Sequence, residues 1–332
     1  MSTKSKAVAV ALTYAMWIFS GLFAPAQAAE PAVVKMGWYG SPRIWVIAKA
    51  SGLFEKNMNT EIQWLQFPSG AAALTALASR QVDIIRMGSS PTVAGIARKL
   101  PIDVIAVAEL ISTSERLIAR KPIRTISDLK GKRVAYPPGS TAHYALMAAL
   151  KVNNVAAADL TLLSMDPADM LAAWRRGDID AAYVWGPFTQ SMEAAGGTEI
   201  LTTEQLQKDG YSIFNTYVVR KEFAEQYPEQ VVAFLKTFQQ ANDMYRNDKE
   251  AMIKLVAKHL DQDEDQVRST LEGLSTPGYA EQIAMLGDGG VVASAMADTA
   301  RFLADLGEMR ARDVPASFDP AIDPSFMKRA AQ

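Results

Sequence analysis

Residues 33–87 read VVKMGWYGSPRIWVIAKASGLFEKNMNTEIQWLQFPSGAAALTALASRQVDIIRM. Short apolar runs typical of strands alternate here with longer amphipathic runs typical of helices. The predicted elements are a strand at Val33–Trp38, a helix near Arg43–Phe54, a strand at Thr60–Phe67, a helix at Ala71–Ser79 and a strand at Val82–Met87. Strands that alternate with helices favour an α/β fold with a largely parallel sheet.

The same order of elements recurs farther along the chain. The second series has a strand at Arg133–Tyr136, a helix at Ala142–Val152, a strand at Leu160–Leu163, a helix at Pro167–Arg176 and a strand at Ala181–Trp185. Both series share a local pattern of helix, tight turn and buried strand, since LASRQVDI at 77–84 resembles WRRGDID at 174–180. The chain is therefore expected to contain two similar α/β units.

The length of 332 residues suits two lobes. The β-prone segments Leu117–Arg120 and Tyr217–Arg220 flank the second series and are our candidates for two hinge strands that cross between the lobes. The predicted boundaries are residues 29–117 for the first part of lobe 1, 118–217 for lobe 2 and 218–332 for the rest of lobe 1. Within this last part, the apolar residues of Glu222–Arg312 recur at helical spacing, and this helical region should pack on lobe 1.

The first 28 residues predict a secretory signal peptide. Lys4 and Lys6 precede the apolar run Ala7–Ala24, and small residues ending in A-x-A place cleavage after Ala28. The alternative is a membrane anchor, but the run is interrupted by polar residues and falls short of a full span. The mature chain is expected to be periplasmic and not membrane-embedded.

Composition excludes several classes of protein. The full chain has 34 Lys and Arg against 36 Asp and Glu, and cleavage would remove two lysines and leave a formal charge of −4. Nothing basic favours nucleic acid. The absence of cysteine excludes disulfides, thiolate metal sites, cysteine nucleophiles and a lipid-modified cysteine at the mature start. No hydrolase motif is found, and His143 and His259 lie too far apart to indicate a metal site.

Four turns repeat one arrangement, in which a strand ends, small or hydroxyl residues follow and a helix begins. They are Pro68-Ser69-Gly70, Gly88-Ser89-Ser90-Pro91, Gly139-Ser140-Thr141 and Trp185-Gly186-Pro187. Ser69, Ser90 and either Ser140 or Thr141 can cap their helices, and each turn taken alone indicates only a capped helix. Several helix N-termini that converge at the carboxyl ends of strands would bind an anion. Because no cluster of lysine or arginine is apparent, backbone N–H groups and hydroxyls are the expected donors.

A resemblance to a known family is carried by five segments: FPSGA at 67–71, GSSP at 88–91, STAHYAL at 140–146, AWRRGDIDAAYVW at 173–185 and VVRK at 218–221. In order and spacing, from about Val33 to Arg312, the chain resembles the periplasmic taurine-binding proteins of ABC importers, within the larger nitrate, sulfonate and taurine binding family. The resemblance implies the two-lobed periplasmic binding protein fold (type II), with mixed, mostly parallel sheets, a hinge of two crossover strands and a ligand cleft.

The resemblance also implies the site. The residues expected around the sulfonate are Ser69, Gly70, Ser89, Ser90, Thr141 and His143. Glu115 would face the ammonium end of the ligand and Trp185 would lie over it, because a carboxylate and an indole face each attract a cation. Taken without the family, Glu115 equally fits a surface strand, Trp185 the core and His143 a helix surface.

Departures from the family pattern leave the ligand open. Asn215 stands where an aspartate is expected, and an amide cannot neutralise an ammonium. Glu109 replaces a small polar residue and could supply that charge, while Arg43 and Arg86 look additional. The ligand is therefore taurine or a related aliphatic sulfonate, or a small anion without a free amine.

The sequence predicts a monomeric binding protein that uses no cofactor, catalyses no reaction and serves an ABC permease and ATPase. Thiamine-pyrimidine synthases are expected to share this fold, but they are expected in the cytoplasm and to use cysteine-rich features that this chain lacks. A sensor that binds the same ligand without transport is also compatible with the sequence.

Overall fold

The computed structural model describes residues 31–332, so the predicted signal peptide lies outside it. In this part of the chain the strands are β1 (Val33–Trp38), β2 (Glu61–Gln66), β3 (Ile84–Gly88), β4 (Ile102–Ile111), β5 (Glu115–Arg120), β6 (Arg133–Tyr136), β7 (Thr161–Ser164), β8 (Ala181–Trp185), β9 (Gly197–Thr202), β10 (Phe214–Arg220) and β11 (Leu274–Ser275). Most of the predicted strands match these bounds within two residues.

The strands alternate with helices up to β10, and helices dominate the chain after it. The helices of residues 31–332 are α1 (Trp45–Ala50), α2 (Leu53–Met58), α3 (Gly70–Ala78), α4 (Ser89–Ala97), α5 (Thr141–Val152), α6 (Pro167–Arg176), α7 (Phe188–Ala194), α8 (Thr203–Lys208), α9 (Lys221–Gln226), α10 (Pro228–Asn247), α11 (Lys249–Leu260), α12 (Glu264–Glu272), α13 (Tyr279–Leu286), α14 (Val291–Asp305) and α15 (Ser325–Ala330). Short 3₁₀ helices follow β5, α5 and α14, and a fourth lies just before α15.

Two sheets share one strand order. The first runs β11-β4-β10-β3-β1-β2 and the second β7-β6-β8-β5-β9. In the first sheet β1 is parallel to β2 and β3, and in the second β6 is parallel to β7 and β8. In each sheet one strand runs antiparallel to both of its neighbours, β10 in the first and β5 in the second. The short edge strand β11 of the first sheet is also antiparallel to its neighbour β4. The predicted α/β fold with two similar units and mixed, mostly parallel sheets is confirmed.

An aspartate just before the third strand of each unit explains the repeated sequence pattern. The carboxylate of Asp83 accepts a hydrogen bond from the backbone N–H of Lys35 in β1, at 2.9 Å. The carboxylate of Asp180 accepts the equivalent bond from Arg133 in β6, also at 2.9 Å. Each aspartate is further paired with an arginine, Asp83 with Arg220 and Asp180 with Arg133. The two similar segments therefore anchor equivalent strand pairs.

The chain passes between the sheets earlier than predicted. Leu117–Arg120 lies within β5 of the second sheet and Tyr217–Arg220 within β10 of the first, so each is an inner strand beyond a crossing. The crossings themselves are residues 112–114 and 203–213. A crossing segment and the strand that follows it both have β-prone composition. The sequence pattern therefore placed each crossing inside the strand that follows it. The exact extent of each lobe stays a prediction.

The single helix predicted near Arg43–Phe54 is two helices. α1 ends at Ala50 and α2 begins at Leu53, and Gly52 between them has a φ of +63°. This left-handed backbone conformation is available to glycine at little cost and stops α1 after less than two turns.

The helical C-terminal region packs on the first sheet's elements, as predicted. α10 contacts α1, α2 and α15, and α14 contacts α4. The aromatic centre of this packing is Phe234 of α10, whose ring stacks on Phe54 at 5.5 Å and meets Tyr217 edge to face at 4.9 Å. None of the helices within residues 31–332 has the length and apolar content that a membrane span requires.

Removal of the Phe234 ring should destabilise the protein strongly. Because Phe234 is fully buried, Phe234→Ala should lower the free energy of unfolding by about 3–5 kcal/mol. Urea titration followed by circular dichroism measures this change. The control Val291→Ala, at a side chain that is 58% exposed, should change it by less than about 0.5 kcal/mol. Equal effects of the two substitutions would contradict the assigned core.

Candidate functional site

A cavity of about 350 Å³ lies between the elements of the two sheets. The first sheet and its connections contribute Tyr39, Ser41, Arg43, Gly70, Arg86, Gly88, Pro91 and Asn215. The second sheet and its connections contribute Glu115, Ser140, Thr141 and Trp185. Five of the residues predicted from the sequence therefore meet at one cavity: Gly70, Glu115, Thr141, Trp185 and Asn215.

Two of the predicted serine caps are present. The Ser69 hydroxyl accepts a hydrogen bond from the Ala72 N–H at the start of α3, and the Ser140 hydroxyl accepts one from the His143 N–H at the start of α5. Both helices begin at the cavity, since Gly70 and Thr141 are their first residues and line it. Unpaired N–H groups of first helical turns from both halves thus border the cavity.

The predicted cap at Ser90 is wrong. α4 begins at Ser89 and its N-cap is Gly88, so Ser89 and Ser90 lie inside the first turn. Their hydroxyls are buried and have no hydrogen-bond partner among residues 31–332. They are not cavity-lining residues, although Gly88 and Pro91 on either side of them are.

Two glycines allow the halves to approach closely. A Cβ at Gly88 would lie 2.7 Å from Cγ2 of Thr141, and a Cβ at Gly70 would lie 3.0 Å from the carbonyl oxygen of Gly139. Gly70 and Gly88 belong to the first sheet's elements, whereas Gly139 lies in the turn before α5 and Thr141 is the first residue of α5. A side chain at Gly88 would therefore separate the two walls of the cavity.

Glu115 is a buried carboxylate at the end of β5. Its Oε1 accepts a hydrogen bond of 2.7 Å from the Thr141 hydroxyl, while its Oε2 has no partner among the described residues. Burial raises the pKa of Glu115, and the Thr141 hydroxyl and the positive charges of Arg43 and Arg86 partly oppose that rise. Trp185 is its register neighbour on β8, so the indole and the carboxylate lie side by side at the cavity.

An ion pair crosses the central antiparallel strand of the first sheet. Nε of Arg86 on β3 lies 2.7 Å from Oε2 of Glu109 on β4, and both side chains are buried. β10 runs between these strands, with Asn215 in register with Glu109 and Tyr217 in register with Arg86. The Asn215 amide nitrogen, the Tyr217 hydroxyl and the second Glu109 oxygen have no partners among the described residues.

Arg43 supplies a second guanidinium. Its residue is 3% exposed, its Nη1 donates a hydrogen bond of 2.6 Å to the Pro42 carbonyl oxygen, and its Nε has no partner within residues 31–332. Burial, together with the positive charge of Arg86, lowers the pKa of Arg43 to about 9, while Glu109 and Glu115 oppose the shift. At neutral pH Arg43 is still charged.

His143 lies away from the predicted sulfonate site. Its ring stacks on Tyr136 at 4.4 Å, its Nε2 is 3.8 Å from Glu308, and it is not a lining residue of the cavity. Burial lowers the pKa of His143, and Glu308 opposes this shift. Because helix α5 turns by about 100° per residue, a side chain two positions after Thr141 points to a different side of the helix.

Residues 32–269 match a family model described as the substrate-binding domain of an ABC-type glycine betaine transport system. The chain belongs to the substrate-binding proteins of ABC transport systems. This family membership confirms the resemblance found in the sequence.

Two relatives from Escherichia coli strain K12 are similar over most of their length. The taurine-binding periplasmic protein is 36% identical over 80% of this chain and 84% of its own. A putative aliphatic sulfonates-binding protein is 30% identical over 71% of this chain and 74% of its own. Among solved structures, the alkanesulfonate-binding protein SsuA from Xanthomonas axonopodis pv. citri bound to MOPS is 25% identical, with a TM-score of 0.75 over 89% of this chain and 99% of that one. The two-lobed binding protein fold is thereby confirmed.

The site predicted from the sequence did not include seven of the residues that line the cavity of this binding protein. Gly88, Pro91 and Ser140 lie in turns that the sequence analysis had recognised, whereas Tyr39, Ser41, Arg43 and Arg86 do not. A signal for three of them was present, because Tyr39, Ser41 and Arg43 follow β1 in the same strand, turn and helix arrangement as the four recognised turns. For Arg86 the signal was a charge inside the buried strand IIRMG, which requires a buried partner. Two arginines therefore line a cavity whose expected donors were backbone N–H groups and hydroxyls.

No group of three or more His, Asp or Glu side chains within residues 31–332 is arranged to hold a metal ion. The lining of the cavity offers hydrogen bonding and charge pairing through backbone N–H groups, hydroxyls, the guanidinium groups of Arg43 and Arg86 and the carboxylate of Glu115.

Breaking the Arg86–Glu109 pair should cost more than replacing it. Arg86→Met alone should lower the free energy of unfolding by about 3–5 kcal/mol, because it leaves the Glu109 carboxylate buried without its cation. Arg86→Met combined with Glu109→Leu should recover part of that loss. Chemical denaturation of the two single variants and the double variant measures the coupling, and additive losses would show that the two side chains do not act as a pair.

Proposed function

We propose that this protein captures taurine or a related aliphatic sulfonate in the cavity between the two sheets and delivers it to an ABC permease. The observation that carries this proposal is the set of buried polar atoms around the cavity that have no partner within residues 31–332. The Tyr39 hydroxyl, Arg43 Nε, Glu115 Oε2 and the Asn215 amide nitrogen belong to residues that line the cavity. The Ser89 and Ser90 hydroxyls lie behind this lining, between Gly88 and Pro91. Buried polar groups are normally hydrogen-bonded, so a polar ligand is the natural partner for this set.

The donors suit a sulfonate. The N-terminal turns of α3, α4 and α5 border the cavity, and their N–H groups and hydroxyls donate hydrogen bonds without carrying a full charge. We place the sulfonate between the turns that contain Ser69, Ser89, Ser90 and Thr141. His143 is not needed for this role, because its ring packs on Tyr136.

The other end of the cavity suits an ammonium. The free oxygen of Glu115 accepts a hydrogen bond from an ammonium, and the neighbouring Trp185 face attracts the same charge. The similarity to a taurine-binding periplasmic protein supports this assignment. The competing ligand is a sulfonate without an amine, which the similarity to an aliphatic sulfonates-binding protein favours. Asn215 in the place of an aspartate is the residue that keeps this alternative open.

Binding is coupled to closure in this proposal. Residues from both sheets line the cavity, so a ligand that contacts both walls stabilises the closed form over an open one. The closed form is the state that the permease and ATPase recognise, and the protein itself catalyses no reaction. We further propose that residues 1–28 direct export and are removed after Ala28, and that the mature protein acts as a periplasmic monomer.

A ligand panel separates the two candidates. Isothermal titration calorimetry should show that taurine binds more tightly than isethionate, N-substituted taurines or alkanesulfonates of similar length. Trp185→Ala should weaken taurine binding about 30-fold, because a desolvated cation–π contact contributes about 2 kcal/mol. Ser90→Ala should weaken it about tenfold through the loss of one hydrogen bond to a charged group.

Matched controls accompany these variants. Trp185→Phe retains an aromatic face and should lose less affinity than Trp185→Ala. Ser294→Ala, at an exposed position on α14, should bind like the unchanged protein. Tighter binding of amine-free sulfonates than of taurine would overturn taurine as the ligand, and binding of none of the sulfonates would overturn the proposed function.

Gly88→Ala should prevent full closure. The added methyl group would press on Cγ2 of Thr141, while the backbone at Gly88, with φ of −63°, accepts alanine without strain. Small-angle scattering should show that taurine compacts the unchanged protein but not Gly88→Ala, whose affinity for every ligand in the panel should fall by a similar factor.

A second substitution tests the cause of that effect. Thr141→Ser removes Cγ2 and keeps the hydroxyl that donates to Glu115, so adding it to Gly88→Ala should restore compaction and much of the affinity. Gly278→Ala, where the nearest atom to the new methyl group is an Arg246 nitrogen at 3.6 Å, is the control. Full compaction of Gly88→Ala with ligand would contradict closure through this contact.

A further inference from the structure

Four charged side chains meet at or beside the cavity, and they do not pair off completely. Arg86 and Glu109 neutralise each other at 2.7 Å. Arg43 and Glu115 remain. Each interacts with the other electrostatically, but no ion pair within 4.0 Å joins them among residues 31–332. The cavity therefore presents one uncompensated positive charge and one uncompensated negative charge.

The free N–H edge of Arg43 is available to a ligand. Arg43 Nη1 is held by the carbonyl of the preceding residue, Pro42, and this contact orients the side chain without neutralising it. Nε is buried and has no partner. A guanidinium offers parallel N–H donors that match two oxygens of a sulfonate or carboxylate, whereas a buried arginine with a structural role is normally neutralised by a carboxylate.

Arg86 is less suited to the same role. Its Nε already donates to Glu109, and that carboxylate supplies its counter-charge. Its positive charge nevertheless acts on Arg43 and makes an anion beside Arg43 more favourable. The Tyr39 hydroxyl, which also lines the cavity and lacks a partner, adds a neutral donor on the same β1–α1 connection.

We infer that Arg43 is the charged anchor of the ligand's anionic group, and that Arg43 and Glu115 together select small zwitterions over simple anions. This inference rests on the proposed function for the location of the ligand. It adds Arg43, which the sequence analysis did not include in the site. The sulfonate is then held by a guanidinium fork as well as by helix N-termini and hydroxyls. The distance between Arg43 and Glu115 sets the length of ligand that bridges both charges.

The direct test is Arg43→Gln, which removes the charge and keeps hydrogen-bonding capacity. Calorimetry with taurine and with ethanesulfonate should show a loss of about 100-fold or more for both ligands, as is typical when one partner of a buried charge pair is removed. Arg43→Lys should recover part of the loss as a point charge without the fork. Arg175→Gln, at an exposed position on α6, is the matched control and should bind normally.

Folding of Arg43→Gln is checked by circular dichroism and by its thermal unfolding midpoint. A folded Arg43→Gln that binds taurine within threefold of the unchanged protein would overturn the anchor while leaving sulfonate capture in place. β-Alanine, the carboxylate counterpart of taurine, tests the opposite case, in which Arg43 is the anchor but the ligand is not a sulfonate. If β-alanine binds and taurine does not, and if Arg43→Gln abolishes that binding, the anchor holds and the proposed sulfonate function fails. Failure of all the zwitterions and anions to bind the unchanged protein would overturn both.

The selectivity for zwitterions has a pH signature. Taurine requires ionised Glu115, and burial raises the pKa of Glu115 above that of an ordinary carboxyl group. Lowering the pH through that raised pKa neutralises Glu115, so taurine affinity should fall at mildly acidic pH. Ethanesulfonate has no ammonium, so its affinity should stay constant or rise as Glu115 loses its negative charge.

Other ionisable groups act on both ligands alike. Those that face Glu115 are Arg43, Arg86, Glu109 and Tyr183, and His143 lies farther along α5. The ratio of the two affinities therefore isolates Glu115, and Glu115→Gln should remove the pH dependence of that ratio. A ratio that does not change as the pH falls from neutral to the ordinary glutamate pKa of about 4.3 would overturn the selection of zwitterions.

Discussion

The constraint on which this molecule depends is the burial of charged side chains at and beside the cavity. Arg43, Arg86, Glu109 and Glu115 are each less than about a tenth exposed, and an unpaired charge in such surroundings costs several kcal/mol. The Arg86–Glu109 ion pair offsets part of this free-energy cost within the protein. The remaining cost at Arg43 and Glu115 is offset only when a ligand brings charges of the opposite sign. Affinity and selectivity thus have the same physical origin.

Closure is what makes these charges buried. Glu115 belongs to the second sheet and Arg43 follows the first strand of the first sheet, so they face one cavity only when the two halves are in contact. Contact is close where Gly70 and Gly88 meet the turn before α5. In an open form the same groups would be hydrated and would cost little. In the proposed function the ligand determines the balance between the two forms, because it compensates charges that would be buried only in the closed one.

The sequence predicted the fold well because hydrophobic period and turn residues are local signals. β1, β6, α6 and β8 match their predicted bounds residue for residue, and the strand-to-helix turns at Ser69 and Ser140 are capped as expected. The crossings were misplaced because β5 and β10 are defined by distant partners, which a local pattern does not reveal. For the same reason, the sequence predicted only part of the cavity lining. Gly70, Glu115, Thr141, Trp185 and Asn215 lie in recognisable motifs, whereas the role of Arg86 depends on Glu109, 23 positions away and across an intervening strand.

The pairing of Arg86 with Glu109 also bears on Asn215. The sequence suggested that Glu109 could provide the negative charge that an aspartate at position 215 would have supplied. Glu109 is instead committed to Arg86, and Asn215 lies between them in register on β10. An aspartate at 215 would have added a second unpaired carboxylate beside Glu109 and raised the cost of the buried cluster. With asparagine there, Glu115 is the one carboxylate at the cavity wall, among the described residues, that retains a free oxygen. In the proposed function, the discrimination between taurine and amine-free sulfonates therefore depends on that single side chain.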